Sequence, residues 1–172
     1  MRRLWIGGAL GVLVALSALV ISLAAFGGSS TSSTSEEALQ RQADLYAIDQ
    51  LEKKFHKATS RKNIDLMMSL WAPNATFTAG GNIAVGKKQI RQFWLTESET
   101  FKPDNTWISG TIPYKVRTTV NGDRGTLYFE CHYVDAKTGK VEKSTAADGD
   151  VARINEKWLI TSMAGGSATL SR

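Results

Sequence analysis

The sequence predicts an α+β domain in which three N-terminal helices cover one face of a curved antiparallel sheet. Three observations support this class. Apolar residues recur at helical spacing in the first half of the domain, the pattern turns β-like after Pro103, and polar turns such as "NGDR", "DAKTG" and "NEK" separate the long β segments. The length of 172 residues suits one such domain plus an appendage.

The appendage is the N-terminal segment, which predicts a single membrane-spanning or signal helix over residues 1–28. The run from Leu4 to Phe26 is uncharged and would form a helix about 35 Å long, enough to cross a bilayer. The arginines at positions 2 and 3 would keep the N-terminus in the cytoplasm, which places the domain outside it. Cleavage after Ala24, giving a secreted protein, is the alternative. Residues 29–37 predict a flexible polar linker, and the domain is expected over 38–172.

The helices are predicted from apolar spacing and capping residues. In the first helix, apolar residues recur every three or four positions between Leu45 and Ala58. Asn63 is a suitable N-cap for a second helix from Ile64 to Trp71, which Pro73 would end. The third helix, "GKKQIRQFWLTES", follows a short strand "ATFTA" and the turn "GGN".

Four longer segments predict the rest of the sheet: "TWISGTIPYKVRTTV", "GTLYFECHYV", "KVEKSTAADGDVARI" and "WLITSM". In the second of these, Leu127 begins a clearly apolar set at every other position, which should face the helices. Tyr128, Glu130 and His132 would then lie on the outer face of the sheet.

Composition argues against several classes of function. The net charge of +5 is carried by basic residues interspersed with acidic ones, so no stripe predicts nucleic-acid binding. The single cysteine, Cys131, cannot form an internal disulfide and is expected to be a small buried side chain. No closely spaced set of His, Cys and carboxylate residues predicts a metal site, and no glycine-rich fingerprint predicts a cofactor.

The segments "AIDQLEKKFHKATSRKNIDLMMSLWAPNATF", "GKKQIRQFW" and "VARINEKWLI", in this order, resemble a known superfamily. It is the cone-shaped superfamily of nuclear transport factor 2, ketosteroid isomerase, scytalone dehydratase and SnoaL-like cyclases. The resemblance covers roughly residues 44–163 and implies a pocket between the first helix and a bent sheet. It is specific for fold and poor for function, because this scaffold carries isomerases, dehydratases, cyclases and binding modules alike.

The resemblance also implies where steroid-isomerase chemistry would be. The general base of that branch matches Ala79, the oxyanion tyrosine matches Phe55, and the acidic oxyanion partner falls near Ala147. Two supporting tyrosines match Trp71 and Trp94. A methyl group cannot move a proton and a phenyl ring has no hydroxyl, so that chemistry is not expected at these positions.

The predicted pocket is therefore aromatic and apolar, suited to a small apolar ligand. The alternative is that the same rings simply fill the core. The expected lining consists of Phe55, Trp71, Phe77, Ala79, Trp94, Trp107 and Tyr114.

Three residues are weak candidates for proton transfer. Asp148 and Asp150 are two apart on one strand, so they share a face and could raise each other's pKa, with solvated carboxylates as the alternative. His132 is the third, with an interface or solvent position as the alternative. The other histidine, His56, is expected to flank the buried stripe of the first helix and to pack partly on a neighbour.

The sequence is compatible with three functions. The first is a membrane-tethered, extracytoplasmic module that binds a small apolar ligand or a protein partner without catalysis. The second is a cyclase, dehydratase or isomerase that uses Asp148 or Asp150 with His132. The third is a dimerisation module of an envelope complex, since relatives often form homodimers through the outer sheet face.

Overall fold

The structure is a computed structural model that describes residues 30–112 and 115–167. In the described ranges the three α-helices lie in the first part of the chain and five of the seven strands follow the last of them, which confirms the predicted α+β class. The elements in chain order are α1 (Ser30–Ser60), α2 (Ile64–Ser69), β1 (Trp71–Ala79), β2 (Asn82–Val85), α3 (Gly86–Thr96), a 3-10 turn (Glu99–Phe101), β3 (Trp107–Gly110), β4 (Val116–Asn121), β5 (Arg124–Asp135), β6 (Val141–Ile154) and β7 (Lys157–Ser167).

The seven strands form one sheet in the order β2-β1-β7-β6-β5-β3, with β4 also paired to β5. The prediction of an antiparallel sheet is wrong at one place, because β1 and β7 pair in parallel. Parallel neighbours need a long connection, and the chain between β1 and β7 contains all five of the remaining strands, β2 to β6. The sheet is therefore mixed, with its first and last long strands side by side.

The segment predicted as one long strand over "TWISGTIPYKVRTTV" forms two strands. β3 pairs with the C-terminal end of β5, from Trp107 opposite Asp135, and β4 pairs with its N-terminal end, up to Asn121 opposite Arg124. Between them the sequence contains Pro113, which has no N–H to give to a strand ladder. β3 and β4 therefore share one edge of β5.

The first helix begins earlier than predicted. The segment 29–37, expected to be a flexible linker, is helical from Ser30 onwards. Extending a helix that already exists adds one residue at a time without a new nucleus, so polar residues can continue it. The described side chains are exposed from Ser33 to Ala43, and the first buried side chain is that of Asp44. Packing of α1 on the sheet therefore starts at Asp44.

The second helix is shorter than predicted. Asn63 caps it as expected, its Oδ1 accepting a hydrogen bond from the Leu66 N–H at 2.9 Å. The helix ends at Ser69, so that Trp71 and Pro73 belong to β1. Pro73 is tolerated there because it lies where the pairing of β1 with β7 is interrupted, and no ladder hydrogen bond needs its nitrogen.

The core lies between α1 and the inner face of the sheet, as the alternation in β5 predicts. Leu127, Phe129, Cys131 and Tyr133 are all buried on the inner face. Phe129 packs edge-on against Phe55 of α1, with ring centroids 5.2 Å apart. This contact fixes the helix across the sheet.

The predicted membrane or signal helix over residues 1–28 lies outside the described residues and stays a prediction. Within residues 30–112 and 115–167, no helix is both long enough and apolar enough to span a membrane.

Candidate functional site: an aromatic cavity

A cavity of about 500 Å³ opens between α1, α3 and the inner face of the sheet. Phe55 enters it from α1, Phe77 from β1, and Phe93 and Trp94 from α3. Met163 of β7 and Trp107 of β3 also belong to the apolar part of the wall. Each of these side chains faces inward because of the helical or strand period of its own element.

The rings of this wall support one another. Phe77 is stacked on Trp94 at 5.5 Å, and Phe55 meets the edge of Trp94 at 5.4 Å. Phe93 meets Phe77 at 4.9 Å in a T-shaped contact. Offset and edge-to-face pairs of this kind each contribute about 0.5–1.5 kcal/mol beyond the area they bury. The wall is thus held together by contacts among its own rings.

Five of the seven residues predicted to line the pocket border this cavity. Trp71 does not, because it is fully buried behind Phe77, with ring centroids 5.4 Å apart. Tyr114 lies outside the described residues. Those that border the cavity are Phe55, Phe77, Ala79, Trp94 and Trp107.

The three positions matched to steroid-isomerase catalytic groups come together at this cavity. Phe55, Ala79 and Ala147 all border it, from α1, β1 and β6 respectively. Ala147 is 4% exposed, so its methyl group occupies a buried place on the sheet. At these three matched positions the wall carries hydrocarbon, whereas steroid-isomerase chemistry would need a base and oxyanion donors there.

The titratable side chains buried at the cavity are a thiol and a phenol. Burial raises the pKa of the Cys131 thiol to about 12, against weaker lowering by hydrogen bonds to Tyr133 and Thr145. Burial also raises the pKa of the Tyr133 hydroxyl, and the neighbouring Cys131 raises it further. Both groups are therefore uncharged at neutral pH, so neither can act there as a base.

Ionisable groups also reach the mouth of the cavity, where water screens them. Glu97, Glu99 and Lys143 are all exposed. One buried polar atom of a wall residue lacks a partner: the indole N–H of Trp94 has no hydrogen-bond partner among the described residues. A buried donor without a partner is unusual, and a ligand oxygen could satisfy it.

The weak catalytic candidates lie on the other face of the sheet, and none of them borders the cavity. Asp148 and Asp150 are exposed, and Asp150 Oδ2 accepts a hydrogen bond from Ser162 Oγ at 2.7 Å. His132 is partly exposed, with Nε2 3.5 Å from Glu130 Oε2. Strand alternation explains this placement, because all of these residues alternate with the buried set. They cannot transfer protons to a molecule in the cavity.

Sequence reasoning missed a buried polar pair on α1. Glu52 and His56 are 4% and 7% exposed, whereas His56 was expected to pack only partly on a neighbour. The His56 ring packs edge-on against Phe129 at 5.3 Å, and its Nδ1 lies 2.6 Å from Ser109 Oγ. The available signal was the spacing of four between Glu52 and His56 directly beside the buried stripe.

Within the described ranges, no group of three or more His, Cys, Asp or Glu side chains is arranged to hold a metal ion.

The geometry agrees with a comparison of the chain with known families, in which the SnoaL-like domain family matches residues 53–161. The chain belongs to the SnoaL-like domain family. The matched range runs from the buried part of α1 to β7 and contains every aromatic residue that borders the cavity, whereas Met163 of the wall lies just beyond it. A search of proteins with curated functions returned no match.

Solved structures share the fold at low sequence identity. An NTF2-like protein with a cystatin-like fold from Novosphingobium aromaticivorans is 15% identical, with a TM-score of 0.70, covering 84% of this chain and 94% of its own. A proposed dehydratase of the NTF2-like family from Streptomyces avermitilis is 15% identical, with a TM-score of 0.60, covering 74% and 97%. A proposed ketosteroid isomerase from Shewanella frigidimarina is 16% identical, with a TM-score of 0.56, covering 70% and 94%. These likenesses show that the SnoaL-like domain has an NTF2-like fold.

Proposed function

We propose that the SnoaL-like domain binds a small, largely apolar molecule in the aromatic cavity and releases it unchanged. The observation that supports this most is the wall itself, in which Phe55, Ala79 and Ala147 stand where a catalyst would carry proton-handling groups. The volume of about 500 Å³ lies in the range of small-molecule pockets, roughly 300–1,000 Å³.

The wall also indicates the chemistry of the ligand. An apolar body would contact the rings of Phe77, Phe93 and Trp94, and its burial would supply most of the affinity. The unpartnered Trp94 N–H would donate a hydrogen bond to one ligand oxygen, which fixes the orientation. The proposed ligand is therefore a compact hydrocarbon skeleton with at least one accepting oxygen, such as a ketone.

Binding can be tested with 2-naphthol, a compact apolar probe whose oxygen can accept a hydrogen bond. We expect saturable quenching of tryptophan fluorescence by the wild-type chain, because Trp94 is in the wall. Ala147→Phe should weaken binding at least about tenfold, since the new ring would occupy the cavity. Ala136→Phe is the matched control, because Ala136 is exposed in the turn between β5 and β6. Equal affinity of both variants would show that the probe binds elsewhere.

The proposed absence of catalysis is tested in a separate experiment. A β,γ-unsaturated ketosteroid incubated with the protein should be recovered without isomerisation, because no group buried at the described wall of the cavity can act as a base at neutral pH. Formation of the conjugated ketone faster than in buffer, and its loss in Ala147→Phe, would favour the enzyme hypothesis instead.

The proposal includes tethering by residues 4–26, with the domain outside the cytoplasm. Its support is the uncharged run from Leu4 to Phe26 behind two arginines. Homodimerisation through the outer sheet face stays a prediction, and so does the role of dimerisation module.

A further inference from the structure

Three small residues form a flat floor on the sheet side of the aromatic cavity. Ala79 of β1, Gly165 of β7 and Ala147 of β6 are direct neighbours across three strands, and all three border the cavity. We call this row the small-residue floor. Adjacent strands lie about 4.8 Å apart, so the floor spans about 10 Å. The next row on the same face carries Phe77 and Met163, so the floor lies one step below larger side chains.

The fold itself does not require a glycine at the centre of this floor. A Cβ at Gly165 would lie 3.5 Å from the Ala79 Cβ and 3.7 Å from the nearest atom of the Phe77 ring, which are ordinary contacts. The backbone of Gly165 is not in the left-handed region, and its pairing with both neighbouring strands is regular. By contrast, a Cβ at Gly149 would lie 2.3 Å from the Ser162 carbonyl oxygen, so the sheet requires that glycine.

A glycine that the fold does not require still has a cost. Glycine inside a strand weakens the strand, and where no bulge or close backbone explains it, it often marks the close approach of a ligand. The missing side chain of Gly165 leaves its space to the cavity, because this residue borders the cavity directly.

The helices supply aromatic rings to the same cavity. Phe55 comes from α1, and Phe93 and Trp94 come from α3, so a bound molecule would lie between these rings and the small-residue floor. A planar ring system can touch a flat floor over its whole face, whereas the axial hydrogens of a saturated ring hold much of it away and lose dispersion contacts. The buried Trp94 N–H, which has no partner among the described residues, would remain available for an oxygen substituent of such a ring.

We propose that Gly165 makes the aromatic cavity selective for planar, unsaturated ring systems, which lie with one face on the small-residue floor. This selectivity rests on the proposed function, because it specifies the shape of the molecule that the cavity binds. Gly165 is the residue that determines it, since a side chain there would lift the ring from the floor.

The first test compares 2-naphthol with trans-2-decalol, its fully saturated counterpart, by isothermal titration calorimetry on the full chain. The two molecules share a carbon skeleton and a hydroxyl group and differ in planarity. We expect 2-naphthol to bind about threefold to tenfold more tightly, from the contribution that aromatic pairs make beyond the area they bury. Burial of apolar area alone would favour the decalol, which has the larger apolar surface. Equal affinity, or tighter binding of the decalol, would overturn the proposal.

Variants separate the floor from the rings, which could also favour an aromatic probe. Gly165→Ala adds one methyl group to the floor and should remove most of the roughly threefold to tenfold preference, because the ring no longer lies flat. Gly166→Ala is the matched control. It adds the same methyl group one position further along β7, where the Cβ would have no atom within 4 Å and points to the opposite face of the sheet. An unchanged preference in Gly165→Ala, or an equal loss in the two variants, contradicts the role of Gly165.

The two probes also distinguish selectivity from ligand binding itself. Saturable binding of both probes to the wild-type chain with equal affinity would contradict the selectivity and support the proposed function. Absence of binding by either probe would contradict both. Because this comparison uses the wild-type chain, it gives a result even if Gly165→Ala does not fold.

Discussion

Asp44 links α1 to the hairpin of β6 and β7 by side-chain hydrogen bonds. Its replacement measures how much this contact contributes to the free energy of unfolding. Its carboxylate is buried and accepts hydrogen bonds from Arg153 at 2.6 Å, Trp158 Nε1 at 3.1 Å and Gln40 at 3.0 Å. Asp44→Ala leaves the buried indole N–H of Trp158 without this acceptor. From about 1.5–3 kcal/mol for the charged hydrogen bond of Arg153 and about 1 kcal/mol for the neutral one of the buried Trp158 indole, we expect a loss of about 2.5–4 kcal/mol in the free energy of unfolding.

The assay is urea denaturation followed by tryptophan fluorescence, with Asp123→Asn as the control. Asp123 binds the same guanidinium at 2.9 Å, but its side chain is 75% exposed. Exposed ion pairs contribute about 0–1 kcal/mol, so the control should lose no more than that. A loss below about 1 kcal/mol in Asp44→Ala, or equal losses in the two variants, would refute the idea that burial of Asp44 gives the contact its strength.

The same contact predicts how stability depends on pH. Burial raises the pKa of Asp44, but hydrogen bonds from Trp158, Arg153 and Gln40 together outweigh it, so the pKa in the folded state is below its ordinary value of 3.8. The stability from Asp44 is therefore present above pH 3.8 and is lost as the pH falls through the lowered folded pKa. The stability difference between wild type and Asp44→Ala should shrink between about pH 5 and the acid limit of the assay. A difference that grows on acidification would contradict this sign.

Cys131 is buried and the pKa of its thiol is raised to about 12. A thiol reagent at pH 8 should therefore leave the folded protein unmodified and label it stoichiometrically in urea. Rapid labelling without denaturant would show that the reagent reaches β5 through the aromatic cavity. If residues 4–26 anchor the protein, it should stay in the membrane fraction after alkaline carbonate extraction. The domain should then be accessible to protease added on the outer side of the membrane. Recovery of the protein in the soluble fraction would contradict the anchor.

Sequence reasoning succeeded where the information is local. The alternation from Leu127 to Tyr133 predicted which face of β5 is buried, and the cap at Asn63 predicted the start of α2. Five cavity residues followed from the resemblance, because helical and strand periods fix the direction of each side chain once the elements are placed.

What the sequence did not predict depends on contacts between distant segments. Ser109 is 53 positions from the His56 ring that it holds, and Arg153 is 109 positions from Asp44. A charged residue beside an apolar helical stripe is usually solvated, so nothing local distinguishes the buried Glu52 from its exposed neighbour Lys53. The pairing of β1 with β7 was missed for the same reason, since strand patterns carry no information about partners far along the chain.

The parallel pairing of β1 with β7 has a consequence for how the chain must fold. β7 lies between β1 and β6, so the β1–β2 hairpin, with Phe77 in its first strand, has no place in the sheet until the last strand arrives. A chain emerging from the ribosome can form its helices and the β5–β6 hairpin early, yet it must keep the edge of β1 unpaired throughout synthesis. Such late, long-range closure slows folding and prolongs the time in which that edge can pair wrongly.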